Sequence, residues 1–473
     1  MTVTRIVRAG VAVGVAALVL TFLAAPLNAQ EPRDVTVRAQ VSQRAIAIDR
    51  GSAALWQSLL KLRTRASVIM IVAHPDDEDG GLLAYESRGQ GARVALLTLN
   101  RGESGQNLMN SDSWEALGLD RTHELLAADR YYGANEYFTR VIDFGFSKSK
   151  EEAMQKWTHQ RVLADVVRVV RMVRPLVITS VFVGGPSDGH GHHQVSGQMA
   201  QEAFKDAGDS TMFPDQIRDG LRPWTPLKDY ARVPTFAIRN HAIWDYANGQ
   251  TYPLRFFNYI TGQWINGLLP TSVSISEGDY DPLLGGSFAQ IARQGLGFQK
   301  TQNGGVTPGP PGPTISAYSR FGSRVTSPDH EATLFDGVDV SLAGIADLAR
   351  GQDDVFLKRG LATVSADVDR AMQQFDARHP EAIAPILADG AKANLALIAA
   401  VEHSALSAGA KYDVLHELHV KAAQFNATLA ESLGLNVTAT VIAAGAPAGP
   451  AGPGSGPAPT SRVAVPGQTL GLS

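Results

Sequence analysis

The chain has 473 residues, of which 44% are hydrophobic and 19% charged. That length and balance allow two or more domains with their own cores and leave little room for extensive disorder. A net charge of −4 with no arginine or lysine run gives a nucleic-acid partner no electrostatic support, and the absence of cysteine excludes disulfides, thiolate metal sites and a cysteine nucleophile.

Taken in chain order, Arg5 and Arg8 precede an apolar stretch from about Ala9 to Ala25, and the small residue Ala29 follows at a suitable cut. This is the order of a secretory signal over residues 1–29, with an uncleaved membrane anchor as the alternative. It implies a periplasmic or secreted protein. Residues 30–65 read as a leader and a first helix from Ser52 to Leu62, whose Leu55, Leu59, Leu60 and Leu62 give an apolar face. The run "SVIMIV" is continuously apolar, as a buried parallel strand requires. A helix drawn from "DEDGGLLAYESRGQ" ends at Gly89 or Gly91, and "RVALLTL" is a second strand. "WEALGLDRTHELLAADRYYGA" is helical and stops near Gly133, "TRVIDFGF" is a third short strand, and "QRVLADVVRVVRMVRP" is a helix closed by Pro175. "LVITSVFV" is the fourth strand. This alternation predicts an α/β fold, a doubly wound, Rossmann-like, mostly parallel sheet, with ligands beyond the carboxyl ends of the strands.

From about residue 225 to 325 the pattern turns irregular and aromatic, and reads as an extension of the same domain, which thus covers 66–325. Trp224, Trp244, Tyr246, Tyr252 and Trp264 are read as packing within that extension, with stacking on sugar rings as the alternative. A C-terminal helical domain is expected over 330–437, and no segment after the signal is apolar enough to span a bilayer. "HELH", His416 to His419, lacks the spacing of a zinc-protease motif and reads as a surface helix. Residues 438–473 form a Pro/Gly/Ala-rich tail ending in "RVAVPGQTLGLS", which looks like the first strand of a further, missing β domain.

Two polar clusters follow buried strands. The first is "AHPDDE", residues 73–78, where three adjacent carboxylates repel one another to no benefit for the fold. The second is "GGPSDGHGHHQVSGQ", which holds His190, His192 and His193. If the two strand ends meet at one crevice, His74, Asp77 and one histidine of the second cluster make a His₂-carboxylate set, the donor type of a catalytic zinc site. Asp76, next to these ligands, is then placed to take a proton from the attacking water, and a histidine off the metal is placed to steady an oxyanion. The implied reaction is metal-assisted hydrolysis of an amide or ester.

These segments resemble the PIG-L/LmbE-type N-acetylglucosaminyl deacetylases. "AHPDDE" is similar to the family signature, "LTLNRGESG" to its T-x-G-E-x-G segment, "RTHELLAADRYYG" to its R-x-x-E helix through Arg121 and Glu124, and "HGHHQVSG" to its H-P-D-H-x-x-x-G segment. The four occur in family order over about residues 66–200. The resemblance implies zinc held by His74, Asp77 and His193, Asp76 as general base, and His190 as the group that polarises the substrate carbonyl. Gly197, four residues after His193, sets that register. His192 stands where the family has an aspartate. Arg121 is expected to contact substrate. The expected activity is removal of the N-acetyl group of an N-acetylglucosamine-like substrate, with Zn2+ as cofactor, although iron(II) or cobalt suits the same ligands. The alternatives are a zinc-dependent amidase acting on a non-sugar or thiol-conjugate amide, and a glycan-binding scaffold protein. The expected partner is a small-molecule or glycan substrate, with no nucleic acid and no stable membrane span after signal cleavage; no sequence feature sets an oligomeric state.

Overall fold

The computed structural model describes residues 48–352 and 354–437, together with the short strand pair Val441–Ile442 and Gly471–Leu472. The signal over 1–29 and most of the tail lie outside the described residues.

A seven-stranded sheet organises the first domain. Its strands are β1 (Ser67–Val72), β2 (Arg93–Thr98), β3 (Ala134–Phe138), β4 (Val177–Ser180), β5 (Lys228–Arg232), β6 (Val273–Ser276) and β7 (Ile315–Ser323), in the spatial order β6-β7-β5-β4-β1-β2-β3. From β3 across to β5 every neighbour pair is parallel, while β7 runs antiparallel to β5 and β6 antiparallel to β7. The expected mostly parallel α/β sheet with a helical C-terminal region is therefore present. β1 lies between β2 and β4, with Val68 opposite both Val94 and Val177. All six β1 residues are buried, because helices cover both faces, which is why its sequence is apolar without alternation.

Two expectations for this domain need correction. "TRVIDFGF" is not a strand; the third strand is the preceding Ala134–Phe138, half-buried at the sheet edge, where an apolar run is not needed. The irregular segment from 225 to 325 contributes β5, β6 and β7 to the main sheet, besides small hairpins. The helix after β1 is α2 (Gly80–Ala84), which loosens into a π turn over Tyr85–Gly89.

The other helices of this domain are α3 (Glu115–Tyr132), α4 (Lys150–Trp157), α5 (His159–Val173), α6 (Gly191–Asp206) and α7 (Phe288–Leu296). Gly133 ends α3 in a left-handed conformation, with φ of 71°. In α5, Val162, Val166, Val169, Val170 and Val173 recur at helical spacing and are all buried.

The helical region contains α8 (Val355–Gln373), α9 (Ala384–His403) and α10 (Ala408–Ser432). The helix Gly51–Arg63, α1, belongs to it as well: Leu55, Leu59 and Leu62 share an apolar cluster with Leu361, Leu387, Val414 and Phe425. The first helix thus packs with the C-terminal helices. By length and composition alone, Pro380–His403 is apolar enough to cross a membrane, contrary to expectation. Its Leu387, Leu397, Ile398 and Val401 are buried in the bundle core, which accounts for that composition. "HELH" is not a surface helix either. Glu417 is buried and pairs with Arg93 of β2 at 3.2 Å, and His416 Nε2 lies 3.3 Å from the same guanidinium. Nearby, Asp413 pairs with the buried Arg174 and with Arg350. These ion pairs join the two regions.

Candidate metal and catalytic site

The chain runs outward from β1 to β2 and β3, then returns to the other side of β1 with β4 and β5. The reversal falls between β1 and β4, so the loops leaving these two adjacent strands open around one crevice. They are the two polar clusters.

After β1, His74, Pro75, Asp76 and Asp77 form a tight turn in which the Asp77 N–H donates to the His74 carbonyl at 3.3 Å. Pro75 at the second position and φ of +92° at Asp76 are the marks of a type II turn. That φ normally favours glycine, so Asp76 holds a strained backbone. The turn folds Asp77 back on His74: its Oδ2 accepts from the His74 N–H at 2.8 Å and lies 3.1 Å from His74 Nδ1. Asp76 is left open to solvent at the tip.

The three carboxylates have different surroundings. Glu78 accepts from the Tyr132 hydroxyl at 2.8 Å and from Gln299 Nε2 at 2.6 Å, so it ties α3 and the segment after α7 to the turn. Burial pushes its pKa up to about 7. Asp77 is also pushed up by burial, but the charges and hydrogen bonds of His193 and His74 outweigh this and hold it well below the usual carboxylate range. The protein around Asp76 desolvates its carboxyl and, with the charges of Asp77 and Glu78, pushes its pKa up to about 8; Arg121 and His193 oppose the rise. A cation at the site adds a positive charge that opposes these carboxylate charges.

After β4, Asp188 collects the N–H groups of Val183, Gly184 and Gly185 on its carboxylate, at 2.7 to 3.2 Å, and so shapes the loop. Burial pushes its pKa up to about 6 against those hydrogen bonds. The histidines follow at the start of α6, not in a solvent loop. His193 Nε2 lies 3.3 Å from Asp77 Oδ1, its Nδ1 is 3.1 Å from the Asp188 carbonyl oxygen, and its ring stacks on Phe182 at 4.3 Å. One donor atom from each of His74, Asp77 and His193 falls within 4.8 Å of the others. Two nitrogens and a carboxylate oxygen at that spacing suit a divalent metal of the zinc type.

A second group, His74, His190 and His192, meets the same distance criterion. Its surroundings suit a metal less well. His192 is fully buried, stacked on Trp157 at 4.1 Å with Phe144 edge-on at 4.3 Å, and its Nδ1 is 3.0 Å from His74 Nε2. The two nitrogens of His190 lie 3.2 Å from the backbone nitrogens of Ser147 and His192, and a neutral ring accepts at one of them and carries its hydrogen on the other. Burial, helped by the charges of His74 and His193, lowers the His190 pKa to about 3. His190 Nδ1 thus accepts from the His192 N–H as the N-cap of α6, which leaves the hydrogen of the neutral ring on Nε2.

Arg121 is 4% exposed, and its Nη2 donates to the Gln106 carbonyl at 2.7 Å. Side chains at Gly102 or Gly105 would overlap the guanidinium, which explains the glycines of that segment. Asp76 is the acid whose charge acts on Arg121 most strongly. Arg121 is thus a buried counter-charge behind Asp76. Glu124 accepts from the Thr301 N–H and hydroxyl, at 3.0 and 2.6 Å, and holds the segment after α7. Sequence reasoning missed the loop-forming role of Asp188. It read Tyr246 only as an aromatic of the extension and missed its contact with the site, where its hydroxyl lies 2.9 Å from His193 Nδ1. The other aromatics of the extension divide differently: Trp224 is buried, whereas Trp264 is half exposed beneath Arg255.

Comparison with known proteins follows this geometry. Residues 69–204 match the family model described as PIG-L, GlcNAc-PI de-N-acetylase. A curated relative, 1D-myo-inositol 2-acetamido-2-deoxy-alpha-D-glucopyranoside deacetylase of Kineococcus radiotolerans, is 29% identical over 200 residues, covering 37% of this chain and 54% of the relative. The chain thus spans about half the length of the curated relative it matches. Among solved structures, N,N'-diacetylchitobiose deacetylase from Pyrococcus horikoshii aligns with a TM-score of 0.30 and 20% identity over 36% of this chain and 60% of that one. A triple mutant of a deacetylase of the teicoplanin biosynthetic pathway aligns with a TM-score of 0.30 and 14% identity over 54% and 98%. The sequence match spans the turn after β1, the Arg121 helix and the histidines that open α6, and it agrees with the resemblance carried by the four motifs. Over residues 69 to 204 the chain is thus similar to the PIG-L family.

Proposed function

We propose that the protein is a metal-dependent deacetylase that hydrolyses the N-acetyl group of an N-acetylglucosamine-like substrate. The observation that carries this reading is the convergence of His74, Asp77 and His193 within 4.8 Å, with the exposed Asp76 beside them on the turn. His74, Asp77 and His193 are the residues that would hold zinc. When bound, such an ion lowers the pKa of water and polarises a carbonyl. The donors would face the ion through His193 Nε2, His74 Nδ1 and the Asp77 carboxylate, the atoms that already point toward one another.

Asp76 acts as the base. It takes a proton from the attacking water as the new C–O bond forms, then delivers it to the nitrogen as the C–N bond breaks. The products are acetate and the free amine. The charge of Arg121 opposes the rise in the Asp76 pKa. The substrate class rests on the family description and on the acetamido-sugar named in the curated relative. Export is part of the proposal, on the charge, apolar stretch and small residue of the first 29 residues.

The test is acetate release from a panel of N-acetylglucosaminyl compounds, with metal content measured in parallel. Asp76→Ala should keep its metal and lose about 10²- to 10⁴-fold in turnover, the usual worth of a general base. His74→Ala should lose the metal. A metal-replete Asp76→Ala protein with wild-type turnover removes Asp76 from this role, and release of a larger acid in place of acetate points to a different amide.

A further inference from the structure

We infer that Asp129, Glu136 and Thr98 form a second cation site, buried between α3 and β3 and suited to a hard divalent ion of the calcium type. The site shares no residue with the metal centre of the crevice and stands apart from the deacetylase reading.

The placement follows from the sheet register. β3 pairs in parallel with β2, with Glu136 opposite Leu96. Side chains alternate along a strand, so Glu136 lies on the same face as Leu96 and Thr98. α3 packs against β3 and brings Asp129, in its last turn, close enough for its carboxyl and that of Glu136 to interact directly. The hydroxyl and N–H of Thr98 face the Glu136 carboxyl and favour its charged form. Thr98 is fully buried and Asp129 is 3% exposed. Both oxygens of Glu136 are buried, although its stem is only half-buried.

Five side-chain oxygens thus gather in the interior: two of Asp129, two of Glu136 and Oγ1 of Thr98. None has a hydrogen-bond partner among the described residues. The groups that act on Asp129 are themselves acids, Glu78 and Glu136. Buried carboxylates need a proton or a cation to answer them. One shared proton would satisfy two of the five oxygens and leave a negative charge beside Glu78. A divalent cation answers the charge and all five oxygens together. Burial and the neighbouring acids push both carboxyls well above the usual range, a penalty that a bound cation removes. The donors are oxygen only, the set that hard ions take. Calcium takes about six to eight oxygens, so water or backbone carbonyls complete its shell.

The site also bears on the crevice. Tyr132, one turn from Asp129 on α3, donates its hydroxyl to Glu78 at 2.8 Å. An ion that fixes this turn of α3 to β3 steadies the acid next to Asp77.

The experiment uses the full chain, saturated with zinc and freed of calcium. Terbium(III), a luminescent stand-in for calcium, is titrated and read by emission sensitised through Tyr132. Calcium is titrated in parallel against thermal unfolding. Asp129→Asn and Glu136→Gln keep side-chain shape and remove charge, and Thr98→Val removes the hydroxyl. Asp389→Asn, at an exposed acid of α9, is the control. Wild type should give terbium emission that calcium reverses. Calcium at about a hundredfold excess over its Kd should raise the melting temperature by about 3 °C. Each carboxyl variant should weaken terbium about 10- to 100-fold, and Thr98→Val about three- to tenfold. Thr98→Val changes no charge, so its loss separates ligation from relief of repulsion. Asp389→Asn should match wild type.

Emission that survives in the Asp129→Asn/Glu136→Gln double variant puts the ion on other acids and overturns the assignment. A wild type with neither sensitised emission nor a calcium-dependent melting temperature also overturns it, and the two carboxyls then share a proton.

Discussion

Gly197→Ala should damage the metal site from a distance. Gly197 lies in the second turn of α6, the helix whose start carries His190, His192 and His193, and it faces the loop after β4. A Cβ there would be 2.4 Å from the Gly184 nitrogen and 2.7 Å from the Phe182 carbonyl carbon and oxygen. These are backbone atoms and cannot swing away. Carbon contacts settle at about 3.5–4.0 Å, so the helix must retreat by about 1 Å. Ligating constellations tolerate displacements of only about 0.5 Å. His193 moves with the helix while Asp77 stays on the β1 turn, so the metal loses one of its three protein ligands or binds with strained geometry. Overpacking of this kind costs about 1–3 kcal/mol of stability. The loss in metal affinity should be about 10- to 100-fold, the range seen when a ligand's supports are disturbed. The assay is zinc competition against a chromophoric chelator, with thermal unfolding in parallel. Gly185→Ala is the control, because nothing lies within 4 Å of a Cβ at that position. Zinc affinity within twofold of wild type in Gly197→Ala would refute the claim that this contact sets the position of the histidines.

Two further predictions concern the rest of the molecule. Asp413→Ala strands the 1%-exposed Arg174 without its buried partner and should cost about 3–5 kcal/mol in denaturant unfolding; a loss below about 1 kcal/mol would show that the remaining surroundings of Arg174 suffice. Asp229, buried in β5 with both carboxylate oxygens unpartnered, has its pKa pushed up to about 8 by burial. The native state therefore keeps a proton that the unfolded chain releases near pH 4, and stability from this group is lost as pH rises toward 8. Asp229→Asn should melt with wild type near pH 4 and above it at pH 8, and a constant difference across that range would contradict the assignment.

The parts of the fold that were legible in the sequence are those whose physics is local. β1 is apolar at every position because both its faces are covered, and α5 repeats valine at helical spacing. The turn after β1 stood out because three adjacent carboxylates serve no packing purpose. The edge strand β3 was misplaced since half-burial asks little of "ANEYF", and the neighbouring "TRVIDFGF" is more apolar. β6 and β7 were hidden because a short antiparallel strand such as "VSIS" resembles a loop until its partner is known. Within the site, His74, Asp77 and a histidine of the second cluster were legible from residue type and spacing, and the family resemblance pointed to His193. Their supports were not. Asp188 works through backbone N–H groups, which carry no sequence signal, and Tyr246 reaches His193 from 53 residues away.

The membership of α1 in the C-terminal bundle changes what the borders of the α/β domain mean. Lys421 of α10 donates to the carbonyl oxygen of Lys61 at 2.8 Å, across 360 residues of sequence. α1, made ahead of the α/β domain, must wait for α10 before its leucines find cover. Until then Leu55, Leu59 and Leu62 are a sticky surface on a nascent polypeptide, and long-range closure of this kind is slow. Cutting at either boundary suggested by the linear map bares the same seam. α1 and α10 fasten like a clasp around the domain between them.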